Sequence, residues 1–180
     1  MIKNRSFKTI FALSALLTLA LGAIIVQAQR QRKSPHETVE FDLNGKKVSV
    51  TYGRPSAKGR KIFGELVPFD KVWRTGADEA TTLKTDADLM FGNTAVPKGE
   101  YTLWTLPSAT GMKLVINKQT GQWGTVYDEK QDFARVDMKV AKLGAAVEQF
   151  TLTLTKEDKG GLLKLEWETT SASIAFTEKK

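Results

Sequence analysis

The chain has 180 residues, a formal net charge of +7, one histidine and no cysteine. The lack of cysteine excludes disulfide staples, thiol nucleophiles and thiolate metal ligands, and a single histidine argues against a four-coordinate zinc site. Stability must come from packing. Any chemistry must come from carboxylates, hydroxyls, cations and aromatic rings.

The N-terminus carries Lys3, Arg5 and Lys8. An apolar run from Ile10 to Val26 follows, broken only by Ser14, Thr18 and Gly22, and then Val26-Gln27-Ala28. A charged start, an apolar stretch and small or β-branched residues before a cleavage point predict a secretory signal over residues 1–28. The alternative is an uncleaved anchor, for which the run is short against the roughly 20 residues of a typical span. Removing 28 of the 180 residues leaves a single domain over 29–180, 152 residues long, and takes away three basic residues and no acid, so the charge falls from +7 to +4. The expected location is periplasmic or secreted, with no membrane span after cleavage. No nucleic-acid-binding motif appears, so an anionic or carbohydrate ligand suits this mild basic balance better than nucleic acid.

Thr38 to Tyr52 reads as two alternating runs joined by Asn44-Gly45, the dipeptide suited to a two-residue hairpin turn. That turn pairs Leu43 with Lys46, Phe41 with Val48 and Val39 with Val50 on one face, and Asp42 with Lys47 and Glu40 with Ser49 on the other. Gly53 to Leu83 then breaks the strand pattern for about thirty residues, a length more typical of binding or covering elements than of simple connections. It holds Arg54, Lys58, Arg60 and Lys61, then Phe63, Phe69 and Trp73, then Arg74, Asp78 and Glu79.

Short strands are predicted over 81–85, 89–91 and 94–96, with Gly92-Asn93 as a turn between the last two. Tyr101 to Leu106 and Met112 to Asn117 form a further hairpin. If Leu106 faces Met112, Trp104 meets Leu114 and Thr102 meets Ile116 on one face, and Leu103 meets Val115 on the other. Both faces are then apolar, which marks a central pair whose second face needs a cover. The long segment is expected to provide it through Phe63, Phe69 and Trp73, bringing Arg54, Arg60, Trp73, Arg74 and Glu79 near Trp123 and Tyr127.

Gln119 to Phe133 is polar and irregular, with a helical turn expected near 129–133. Alternating strands follow on Val136, Met138 and Val140, on Phe150, Leu152 and Leu154, on Leu163, Leu165 and Trp167, and on Ile174 and Phe176. About ten short strands at hairpin spacing predict an all-β fold, a single antiparallel β-sandwich of jelly-roll or immunoglobulin-like character with one long irregular covering segment. Phe41, Val48, Val50, Trp104, Leu114, Leu152, Leu165 and Trp167 are its expected core.

His36 lies just past the predicted start of the mature chain and is expected to be solvated. Asp78 with Glu79, Asp86 with Asp88, and Asp128, Glu129 and Asp132 are carboxylate groups without a calcium-loop pattern, so no metal and no cofactor is expected. The guanidinium of Arg54 or Arg60 is suited to clamp a carboxylate, of a ligand or of the chain itself. Arg54, Arg60, Trp73, Arg74, Asp78, Glu79, Trp123 and Tyr127 are the candidate ligand-binding residues.

Tyr52-Gly53-Arg54-Pro55, Lys58-Gly59-Arg60-Lys61-Ile62-Phe63-Gly64, Val72-Trp73-Arg74-Thr75-Gly76-Ala77-Asp78-Glu79-Ala80-Thr81, Asn117-Lys118 and Gln122-Trp123-Gly124 together resemble domain of unknown function 2911, a family of exported bacterial proteins. The resemblance runs from about Ser34 to Phe176. It implies one domain with an extracytoplasmic life and brings no activity, ligand or catalytic residue with it. The expected function is therefore an exported binding or envelope-structural module. The alternative is a carboxylate-dependent hydrolase acting on a polysaccharide or another envelope polymer, and whether the protein is an enzyme stays open.

Overall fold

Asn44 and Gly45 take left-handed φ values of 55° and 80°, the backbone that a two-residue hairpin turn requires. The turn joins β1 (His36–Leu43) to β2 (Lys46–Gly53) in the expected register, with Val39 opposite Val50, Phe41 opposite Val48 and Leu43 opposite Lys46. The computed structural model describes residues 31–180. The predicted signal over 1–28 lies outside the described residues. Among those described, no helix is long and apolar enough to cross a membrane.

The remaining strands are β3 (Thr82–Thr85), β4 (Leu89–Phe91), β5 (Thr94–Val96), β6 (Gly99–Pro107), β7 (Met112–Asn117), β8 (Asp132–Glu157) and β9 (Gly160–Glu178). Among the described residues a single 3-10 turn, Glu129–Gln131, falls where a helical turn was expected. All pairings are antiparallel, and the strands form one nine-stranded open sheet in the order β1-β2-β3-β6-β7-β8-β9-β4-β5. The all-β class is as expected.

Two features differ from the sequence reading. The four strands expected after residue 133 are two long ones, because register shifts between Lys142 and Val147 and between Val147 and Thr151 absorb the irregular stretch of β8 without reversing the chain. The β6–β7 hairpin is also offset by one residue: Leu103 faces Ile116, Trp104 faces Val115, and Pro107 faces Met112. Ser108 sets this register. Its Oγ accepts from the Gly111 amide at 3.0 Å and its own amide donates to the Gly111 carbonyl at 2.8 Å, closing a loop that keeps Pro107 in the strand.

The offset redistributes the apolar side chains. Leu103, Leu114 and Ile116 enter the main core with Val48, Val50, Leu152, Leu165 and Trp167, while Trp104 and Val115 form a second, smaller cluster with Ala80. Phe41 is only partly buried, packing edge-on against Phe176 at 5.7 Å. The second face does receive a cover from the long segment and the Trp123 loop, but its residues are Val72, Ala80 and Tyr127. Phe63 and Trp73 turn instead into the main core, and Phe69 remains 39 % exposed. Trp73 pairs through its backbone with Thr105, with N–H···O distances of 2.8 and 2.9 Å in the two directions, so Val72 and Trp73 necessarily point to opposite faces.

The first hairpin and the last strand are tied at their ends. Glu178 accepts from Asn44 Nδ2 at 2.9 Å and from Lys46 Nζ at 2.6 Å. The Asn44 hydrogen bond first, and then Lys46, holds the Glu178 carboxyl below the usual carboxylate range. A depressed folded-state value means that this link contributes fully above the unfolded glutamate range, about 4.3, and is lost as the pH falls through the lower folded value. An NMR titration of the Glu178 carboxyl should give a midpoint below that of a glutamate in a short peptide. A midpoint at or above the peptide's would show that the link does not form.

Candidate functional site

The residues expected to gather at one place occupy four. Arg54 follows the last residue of β2 and reaches across to β8. Its Nη1 lies 2.8 Å from the Glu37 carboxylate, Nε donates to the Phe150 carbonyl at 3.2 Å and Nη2 donates to Thr151 Oγ1 at 3.0 Å. Beside it the Tyr52 hydroxyl accepts from the Leu152 amide at 2.9 Å and lies 3.1 Å from Glu37, with burial as the first cause holding its phenol above the usual range. Arg54 thus clamps a carboxylate of its own chain.

The second place is built from Arg74, Asp78, Glu79 and the Trp123 loop. Thr75 and Asp78 take left-handed φ values of 53° and 64°, bending the segment so that successive groups face different partners. Asp78 is 7 % exposed, and its Oδ2 accepts from the amides of Lys33 and Ser34 at 3.1 and 3.0 Å, while its carbonyl accepts from the Gly124 amide at 2.8 Å. Glu79 pairs as a backbone bridge with Trp123, and the Ala80 amide donates to the Gln122 carbonyl at 3.2 Å. Arg74 Nε donates to the Gly76 carbonyl at 3.2 Å, and its stem packs so closely on Gly124 that a β-carbon there would sit 2.3 Å from Arg74 Cδ.

His36, expected to be solvated, belongs to this cluster. Its side chain is 15 % exposed and its Nε2 lies 2.9 Å from Glu79 Oε2, both atoms shielded from water, in an ion-pair contact outside the angle of a directed hydrogen bond. Nδ1 is 3.1 Å from the Ser34 carbonyl. A carbonyl only accepts, so the Nδ1 contact is made with a proton on Nδ1, and Nε2 is the ring atom that faces the Glu79 carboxylate. Both ring nitrogens therefore face groups of the chain itself. One signal pointed to this: the family resemblance begins at Ser34, which makes the Pro35-His36 stretch part of the domain and not a tail.

Tyr127 anchors the rest of the Trp123 loop. Its ring packs on Trp104 with centroids 4.8 Å apart, and its hydroxyl donates to Asp132 Oδ2 at 2.7 Å. Arg135 donates to the same oxygen from Nε and Nη2, at 2.8 and 2.6 Å, and also reaches Glu129 at 2.7 Å. Asn117 Nδ2 takes the other Asp132 oxygen at 2.8 Å and the Asp128 carbonyl at 2.9 Å. Burial and then the Asp132 hydrogen bond push the Tyr127 phenol well above its ordinary range. Among the described residues, no group of three His, Asp or Glu side chains is placed to hold a metal ion.

Trp73 and Arg60 stand apart from this cluster. The Trp73 ring is in the main core, stacked on Trp167 at 5.5 Å and edge-on to Phe150 at 5.1 Å. Arg60 folds back on its own turn, where Nε donates to the Ala57 carbonyl and Nη2 to the Ser56 carbonyl, each at 2.8 Å. That turn leans on the irregular part of β8 through the Ala57 amide, which donates to the Glu148 carbonyl at 2.7 Å, and the Lys58 amide, which donates to Glu148 Oε1 at 2.9 Å.

The chain belongs to the family of proteins of unknown function DUF2911, whose profile matches residues 34–176. No curated protein and no solved structure matches it. The matched span begins at Ser34, so the strap Ser34–His36 lies inside it together with Asp78 and Glu79.

Proposed function

We propose that this member of the family is an exported binding module of the bacterial envelope, periplasmic or secreted, and that its distinctive residues build the module instead of performing catalysis. The observation that carries the reading is the engagement of Asp78 and Glu79. Asp78 is committed to the Lys33 and Ser34 amides and Glu79 faces His36, so the two acids best placed beside an aromatic loop are already occupied by the chain itself. Glycoside hydrolysis needs two carboxylates facing each other across a substrate, roughly 5 to 10 Å apart. The same engagement of Arg54 by Glu37 supports an internal role for the most basic stretch of the segment.

On this reading the single sheet folds so that the β1–β2 hairpin faces the distal parts of β8 and β9, in the manner of a sandwich. Support comes from Phe41 against Phe176 and from Tyr52 against Phe150, both at 5.7 Å. An anionic or carbohydrate polymer remains the class of partner suited to the predicted +4 charge of the exported form.

The test has two parts. The intact mass of the protein recovered outside the cytoplasm should correspond to a chain beginning at Gln29; a chain that begins at Met1 and stays with the membrane overturns export with cleavage. The recovered protein should then sediment with isolated envelope polymer without releasing reducing ends or amino groups from it. Release that disappears in Glu79→Gln would establish the hydrolase alternative.

A further inference from the structure

Arg60 is a cation fixed in place beside acids it does not pair with. Its Nε and Nη2 are held by the Ala57 and Ser56 carbonyls, and it lines a cavity of about 390 Å³ together with Lys61, Glu148 and Glu168. Glu148 is held independently by the Lys58 amide. Glu168 takes a left-handed φ of 52° opposite Val147, at the register shift of β8, a backbone conformation unusual for a non-glycine residue. Among the described residues, Lys61 pairs with Glu65 and Lys164 with Glu166, while Arg60, Glu148 and Glu168 form no ion pair. Opposite charges therefore stand around one cavity and are not neutralised by each other, with Arg60 and Glu148 held by backbone contacts.

The surface between them is small and apolar, formed by Ala57, Ala146 and Val147. Sites for small molecules commonly occupy about 300–1,000 Å³ and combine an apolar lining with a few fixed polar groups. We infer that this cavity binds a short zwitterionic peptide with small side chains: its carboxylate takes the outward edge of the Arg60 guanidinium, its ammonium takes Glu168 with Glu148, and its methyl groups lie over Ala57, Ala146 and Val147. A guanidinium already oriented by two carbonyls loses less freedom on binding a carboxylate than a free side chain does. A neutral sugar would leave both signs of charge unanswered, and a simple anion would answer only one. The inference rests on the binding-module reading and gives it a site whose ligand, a zwitterionic peptide, differs from the anionic or carbohydrate polymer that net charge alone suggests.

The test is an NMR titration of the full chain with alanyl-alanine, of both the L,L and D,D forms. Saturable shifts are expected at the amides of residues 59–61, 146–148 and 168, with half-saturation on the order of millimolar for so small a ligand. N-acetylation or C-terminal amidation of the dipeptide should each weaken binding at least about tenfold, since each removes one charge and strands its partner. Arg60→Ala should weaken the zwitterion at least about tenfold. Glu168→Gln should do the same for the zwitterion and leave the N-acetylated form unchanged. Because Arg60→Ala also loses the turn's two carbonyl contacts, Ala146→Phe, which fills the cavity from an exposed position, is the companion variant and should abolish the shifts in a folded protein.

No saturable shifts, equal binding of the capped dipeptides, or shifts that persist in Ala146→Phe would overturn the inference. If the protein sediments with envelope polymer and yet the dipeptide moves none of these amides, the site is refuted and the binding-module reading survives. If the dipeptide binds here and the protein also cleaves polymer, the module reading is refuted and the site survives.

Discussion

Replacing Trp73 by alanine should destabilise the protein by about 3–5 kcal/mol, the range for removing a large aromatic side chain from a packed core. The ring stacks on Trp167 with an interplanar angle of 18° and meets Phe150 and Phe63 edge-on at 5.1 and 6.1 Å, so truncation opens a void against three aromatic neighbours. Such pairs contribute about 0.5–1.5 kcal/mol each beyond their buried area. Trp167 and Phe150 are 1 % and 0 % exposed and anchored on β9 and β8, so they cannot move far to fill the space. Urea unfolding followed by circular dichroism gives the difference, and Trp73→Phe should recover a substantial part of the loss. A cost below about 1 kcal/mol for the alanine variant would mean that the long segment is not pinned to the core through this ring.

The part of this arrangement legible in the sequence is what short-range chemistry fixes. Asn44-Gly45 determined the turn, and the turn determined eight residue pairs of β1 and β2. The strands Leu89–Phe91 and Thr94–Val96 were readable for the same reason, since Gly92-Asn93 separates two short apolar runs. The β6–β7 register was not, because Pro107 reads as a loop residue and only the Ser108 and Gly111 contacts keep it in the strand. The stretch Leu143-Gly144-Ala145-Ala146 reads equally well as a turn or a bulge, two structures that share small residues and lost alternation and differ only in what the partner strand does.

The candidate site was legible in its parts and not in its pairing. That Arg54, Arg60, Arg74, Asp78 and Glu79 cluster in sequence gave no means of telling that Arg54 takes Glu37, that Arg60 takes its own turn, and that Glu79 takes His36. The surroundings of Arg54 and Glu79 are set by long-range contacts of backbone with backbone, whereas Arg60 takes the carbonyls of its own turn. Of the five residues expected near the Trp123 loop, Arg74 and Glu79 lie there and Arg54, Arg60 and Trp73 do not, and His36 was missed because proximity to a predicted cleavage point was read as exposure.

The closest of these backbone contacts yields the second large expected effect. A β-carbon added at Gly53 would lie 2.2 Å from the Ala77 carbonyl oxygen and 2.9 Å from its carbon, and one added at Gly76 would lie 2.8 Å from the Gly53 oxygen. The end of β2 and the 75–78 bend therefore touch through their main chains, and only glycine permits it. Gly53→Ala must push Ala77 away, and the displacement passes directly to Asp78 and Glu79, releasing the Lys33 and Ser34 amides, the Gly124 amide and His36. The expected cost is about 3 kcal/mol or more, at or above the upper end for overpacking, because the obstruction is backbone and cannot rotate aside. Gly59→Ala is the matched control, since its φ of 69° is strained for alanine but nothing lies within 4 Å of the added carbon, and about 1–2 kcal/mol is expected. Thermal unfolding of both variants ranks them, and the His36 ring resonances report whether the strap has detached in whatever folded Gly53→Ala remains. Equal losses at the two glycines, or an undisturbed His36 in a folded Gly53→Ala, would show that the strap is held independently of the bend that carries Asp78 and Glu79.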